Sequence, residues 1–182
     1  MSVIKIPATS TEKAKLLFFY NRDTLFNDVS LISNYMAKNL ATKEGNSLTD
    51  EYAMSDDEKD LFNVCVRQCL PDIYEAMLKI TNSVVAAFDD DVTETGSTTG
   101  VPEGHYVEFT LLDNDAFNDN VLTVLDSSLN NTIKQGVLKE YFSVIVQPDF
   151  FKISAERFLG ELFKLKSRLF QLKKKSVVSN IS

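Results

Sequence analysis

Apolar residues recur along this chain at helical spacing in four stretches. Leu25, Val29, Ile32, Met36 and Leu40 step by four, three, four and four, one stripe of an amphipathic helix that opens at a cap on Asp23 and is expected to end near Gly45. A polar segment, Lys43 to Met54, follows. Ser55 with Glu58 three residues on has the form of a capping box, and Asp56, Asp57 and Glu58 set negative charge at the positive end of a helix dipole. Leu61, Cys65, Cys69, Ile73, Met77, Ile80 and Val84 carry that second helix, with a kink expected at Pro71, which lacks an amide proton and crowds the carbonyl of Arg67. A third helix, capped at Asn118 or Asp119, has the stripe Leu122, Leu125, Leu129, Ile133, Val137, Tyr141 and Val144. Pro148 closes it and Asp149 opens a fourth.

The fourth helix is the most informative. Phe151, Ala155, Phe158, Leu162, Leu165, Leu169 and Leu172 alternate fours and threes, the spacing that keeps one seam facing a partner helix. Leu159, Phe163 and Phe170 read as widening that seam.

Between these helices the pattern changes. Residues 1–20 form an arm in which the run Leu16 to Phe19 is too short for periodicity to decide between helix and strand. After Phe88 come Asp89, Asp90 and Asp91 and a Thr, Ser and Gly-rich loop through Gly104. His105, Val107, Phe109 and Leu111 then alternate with Tyr106, Glu108 and Thr110, which predicts a short strand, paired with 84–88 if the second helix ends early. The expectation is a mainly α fold: one helical domain over 1–182, a four-helix bundle with a short strand or hairpin and a long loop (89–112) inserted between helices 2 and 3, and a basic C-terminal helix and tail (149–182). The loops 45–54 and 91–104 hold too little apolar surface to order by themselves.

Composition supports this. The chain has 182 residues with 44% hydrophobic and 25% charged content, the composition of one globular domain with a real core. Six Gly and four Pro leave few breaks. The N-terminus carries no apolar run of signal-peptide length, so a soluble protein made in the cytoplasm is expected. Charge adds an asymmetry. From Lys152 to Ser182 there are eight Lys and Arg against two Asp and Glu, +6, while the rest of the chain carries −13 within a total of −7. Such a chain suits head-to-tail packing with copies of itself, or seating of a basic tail on another subunit.

Candidates for chemistry are few. His105 is the sole histidine, which excludes a histidine-pair metal site within one chain; it reads as an exposed polar residue. Cys65 and Cys69 lie four apart on one helix face, a spacing that fits neither a zinc knuckle nor a redox pair and reads as small buried residues. Asp113, Asp115 and Asp119 lack the turn glycine and closing glutamate of a calcium loop, where Asn118 and Val124 stand. Asp89, Asp90, Asp91 and Glu94 form an acidic cluster that reads as a solvated loop. No phosphate-cradling or nucleophile-elbow motif occurs. The expectation is therefore no enzyme, no cofactor and no metal. Lys164, Lys166, Arg168, Lys173, Lys174 and Lys175 are the candidate partner interface, since an acidic chain as a whole repels nucleic acid.

The strand Tyr106 to Leu112, the Asp/Asn-rich turn Asp113 to Asn120, the long helix ending in Lys139, Glu140, Tyr141 and Phe142, the Gln147-Pro148-Asp149 break and the final Leu/Lys/Arg helix together resemble the head–tail connector proteins of tailed phages, also called adaptor or neck-ring proteins, of the kind found in phages and prophages of Bacteroidetes-type bacteria. The match spans a little over a third of the chain. The resemblance implies a virion structural protein, made in the host bacterial cytoplasm. Copies would ring the DNA channel beneath the portal, twelvefold in the usual case, with the portal and tail or other neck proteins as partners, DNA passing without sequence-specific contact, and no membrane. Asp89, Asp90, Asp91 and Glu94 would then face the channel or a neighbouring subunit. A cytoplasmic helical interaction adaptor and an enzyme with an improvised acidic metal site are the other classes left open.

Overall fold

A computed structural model describes residues 3–7, 9–10, 13–38, 52–81, 84–88, 105–113 and 119–173. Its elements run β1 (Val3–Ile6), β2 (Ala14–Asn21), α1 (Arg22–Lys38), a 3-10 turn (Asp56–Glu58) leading into α2 (Lys59–Thr81), β3 (Val84–Phe88), β4 (Tyr106–Asp113), α3 (Asp119–Val144) and α4 (Pro148–Lys173). Among the described residues the protein is mainly helical, with four long helices and a small antiparallel sheet, as the periodicity predicts. The loops expected at 45–54 and 91–104 fall, but for Tyr52 to Met54, outside the described residues.

The N-terminal arm is where sequence and structure part. Residues 14–21 form a strand at the centre of a four-stranded sheet ordered β1-β2-β4-β3. Leu16 pairs with Leu111, Phe18 with Phe109 and Tyr20 with Val107, and all six side chains enter the main core. Leu17 turns to the other face, where a second small cluster joins it to Ile4, Phe19 and Tyr106. The Phe19 and Tyr106 rings meet edge-on at 5.7 Å. A strand apolar on both faces reads as a continuous run rather than an alternation, which is why the sequence left it undecided. The short pairing expected for 84–88 is present, as β3 on β4.

Helix ends also differ by small margins. The cap of α1 is Asn21, whose Oδ1 accepts the Thr24 amide at 3.0 Å, and Asp23 lies inside the first turn. Ser55 and Glu58 make the expected box, the Ser55 amide donating to Glu58 Oε2 at 2.7 Å. Helix α2 continues through Pro71, which stands on an exposed side of the helix. Pro148 is the first residue of α4 rather than the end of α3, a position where its missing amide costs nothing.

The turn between α3 and α4 is a Schellman motif. Gln147 N–H donates to Phe142 O at 2.9 Å and Val146 N–H to Ser143 O at 3.3 Å, with Val146 left-handed at φ 57°. This hairpin lays α4 antiparallel on α3, and α2 packs across both. The close approach depends on Gly136: a methyl group there would lie 2.9 Å from both Cys69 Cβ and Phe158 Cε2. Helix α1 packs on α3 and β2, fastened by Lys134 to Asp28 at 2.6 Å.

Candidate interaction surface on the last helix

Helix α4 is amphipathic twice over. Phe158, Leu162, Leu165, Leu169 and Leu172 are buried against α2 and α3, as the seam predicts. Phe151 and Ala155, at the start of that row, are less covered. Leu159, Phe163 and Phe170 do not widen the seam; they stand 65%, 75% and 59% exposed. The reason is angular. At about 100° per residue they lie roughly a quarter-turn beyond the edge of the buried row, turned outward from the packed side, with Leu159 on the rim of a cleft beside α2. Lys152 and Lys166 fall in the same outward band, with Glu156 at its edge.

A cleft of about 400 Å³ runs beside this band between α2 and α4. Ala76, Phe158 and Leu162 give it an apolar floor, Asp72 and Glu75 stand on the α2 wall, and Leu159 and Lys166 on the α4 wall. Lys139 closes one part of it, 3.2 Å from Asp72, 2.8 Å from Glu140 and 4.8 Å from the centre of the Phe158 ring. Partial burial works to lower the Lys139 pKa, but Glu140 and Asp72 outweigh it and the ammonium is held above its ordinary range. Lys79, paired with Glu75 at 2.5 Å, and then Lys166 across the cleft hold the Glu75 carboxyl below its ordinary range.

The basic residues named from sequence do not form one patch. Lys164 is exposed and pairs with Glu161 at 2.7 Å, and Arg168, one turn on, donates to Gln171 at 3.0 Å. These two lie on one flank of the helix; Lys166, two residues from each, lies on the other, in the cleft. Lys173 is the last helical residue. Lys174, Lys175, Asp89, Asp90, Asp91 and Glu94 lie outside the described residues.

Cys65 and Cys69 are buried free thiols, as read from their spacing. Burial first, then Glu140 and Glu58, pushes Cys65 up to about 12, and burial pushes Cys69 higher still. His105 corrects the expectation of an exposed side chain. It is half-buried at the start of β4, beside Arg22, Asp23, Phe26 and Lys59, because its own carbonyl accepts the Arg22 amide at 3.0 Å and draws it against α1. Among the described residues there is no group of three or more potential metal ligands, and no helix is long and apolar enough to cross a membrane.

Compared with known proteins, the chain matches no family model, no curated sequence and no solved structure. The reading of the surface therefore rests on its own chemistry. An outward band of one leucine and two phenylalanines set among Lys152, Lys166 and Glu156 offers apolar area to bury and charges of both signs to orient a partner. The signal for it was in the sequence: positions 149, 152, 156, 159, 163, 166, 170 and 173 form a second row of alternating threes and fours, masked by the stronger row beside it.

Proposed function

We propose that this chain is a structural subunit that works by binding other proteins through α4, and that it serves as a head–tail connector ring subunit of a tailed phage. The observation that carries the binding role is the outward exposure of Leu159, Phe163 and Phe170 on a helix whose neighbouring row, Phe158, Leu162, Leu165, Leu169 and Leu172, is buried. A large apolar band of this kind on a globular chain marks an interaction site. The connector role comes from the resemblance of residues 106–172, and the charge split favours it. A ring closed by contacts between unlike surfaces needs two complementary faces on each copy, and an acidic body with a basic end supplies them.

In this reading Lys164, Lys166, Arg168, Lys173, Lys174 and Lys175 engage the portal or a neighbouring copy. Asp89, Asp90, Asp91 and Glu94 line the channel or meet a neighbour. Carboxylates along the channel would let DNA slide, since they neutralise no phosphate and release no counterion. A single-partner adaptor is the second reading, favoured by the α2–α4 cleft, whose apolar floor of Ala76, Phe158 and Leu162 is rimmed by charged side chains.

Changing Lys173, Lys174 and Lys175 together to Glu tests the proposal. The fold should persist while incorporation into particles is lost, and assembly of the unchanged chain should weaken as salt rises, because exposed charges are screened beyond about 8 to 10 Å. Normal particles from the triple variant would remove the role of the basic end. An image of the native assembly showing one copy on one partner would replace the ring with the adaptor.

A further inference from the structure

The outward band of α4 matches a second copy of itself. Its positions 149, 152, 156, 159, 163, 166, 170 and 173 alternate threes and fours, the repeat of a coiled-coil seam, while the neighbouring row of the same helix already carries one such seam into the core. When two copies of α4 are laid antiparallel and centred between residues 159 and 163, Leu159 of each copy meets Phe163 of the other. Glu156 then meets Lys166, and Lys152 meets the ring of Phe170, a cation over an aromatic face. One layer further out, position 149, an aspartate, stands level with position 173, a lysine. Every layer occurs twice, and none sets like charges together. A parallel pairing in register sets Lys166 on Lys166 and Glu156 on Glu156 and is repelled.

We infer that two copies of this chain associate through an antiparallel, two-fold contact of α4 on α4, built on Leu159, Phe163 and Phe170 and aligned by Glu156 and Lys166. The chemistry is that of a small contact: the three large apolar side chains are those left exposed on the band, and the charges fix register more than strength. A two-fold contact is closed, so it makes a dimer and does not build a ring. It rests on the reading of α4 as a binding surface, not on the connector role, and it covers the band that a portal or ring neighbour would use. The dimer is thus the form that such a partner displaces.

Sedimentation of the full chain at concentrations up to about 1 mM tests the contact. A reversible monomer–dimer equilibrium is expected. Glu156→Lys or Lys166→Glu alone should weaken it roughly tenfold, and the two changes together should restore it, because only the pair re-forms opposite charges. Orientation is read by cross-linking. Cys65 and Cys69 are buried, so an added cysteine is the accessible one. Lys152→Cys and Phe170→Cys should each stay monomeric under mild oxidation and form a disulfide-linked dimer when mixed, since antiparallel pairing sets 152 beside 170 and holds 152 about 27 Å from its own copy. A monomer at every concentration, a double charge variant no better than the singles, or cross-linking of Lys152→Cys with itself would overturn the inference. The two proposals fail separately: a monomeric chain that still enters particles removes this dimer alone, and a dimer that never enters particles removes the connector role alone.

Discussion

Gly136 of α3 faces Cys69 of α2 so closely that a methyl group on the glycine would sit 2.9 Å from the cysteine Cβ, with the Phe158 ring at the same distance. The three core helices meet at this point. Gly136→Ala should therefore destabilise the protein by about 1 to 2 kcal/mol in urea unfolding: overpacking a tight core costs roughly 1 to 3 kcal/mol, and the gain in helix propensity, about 1, offsets only part of it. An unchanged or raised midpoint would show that α2 and α3 yield at this contact.

Val146 holds a left-handed backbone at φ 57° in the α3–α4 turn, a region that β-branched residues resist, and its side chain is 78% exposed. Val146→Gly relieves that strain and loses little packing, so stability should rise by about 0.5 to 1 kcal/mol. A loss on thermal melting would mean that the valine side chain supports the turn.

The two faces of α4 should answer differently to truncation. Leu165→Ala removes a fully buried side chain and should cost about 2 to 5 kcal/mol, whereas Phe163→Ala should stay within about 0.5 kcal/mol in the isolated chain. Equal losses at the two sites would place Phe163 in the core and remove the outward band.

Ser33 joins α1 to the segment before α2: its hydroxyl accepts the buried Met54 amide at 2.9 Å and donates to Ser30 O at 2.8 Å. Ser33→Ala leaves that amide without its partner inside the protein and should cost about 1 to 3 kcal/mol. Chemical denaturation of the variant measures it, and a change below about 0.5 kcal/mol would show water reaching Met54.

Alkali should unfold the protein early. Burial raises the Cys65 thiol from its ordinary 9.0 to about 12 and raises Cys69 and the Tyr20 and Tyr141 hydroxyls as well, Tyr20 beside Asp126 and Tyr141 beside Glu58. Each group keeps its proton longer in the folded chain than in the unfolded one. Their stabilisation is complete below pH 9, the ordinary thiol value, and declines as pH rises toward the folded values. Both thiols should also resist alkylating reagents at pH 8 until the chain unfolds. Rapid native labelling of Cys65 would contradict its burial.

The helices were legible because their stripes hold a 3.6-residue period over long stretches, and the Ser55–Glu58 box and Pro148 marked ends through chemistry local to a few residues. The sheet was only half legible. β4 alternates and announced itself, while β2 is apolar on both faces and carries no period, so it became a strand only through its register with β4. The outward band of α4 shows the same division. The sequence set Leu159, Phe163 and Phe170 beside the seam, but whether a residue a quarter-turn from that seam meets core or water depends on where neighbouring helices lie. Gly136 drew α2 against α3 and α4, the Schellman turn set α4 antiparallel to α3, and these packing choices, made between residues distant in sequence, left the band facing outward.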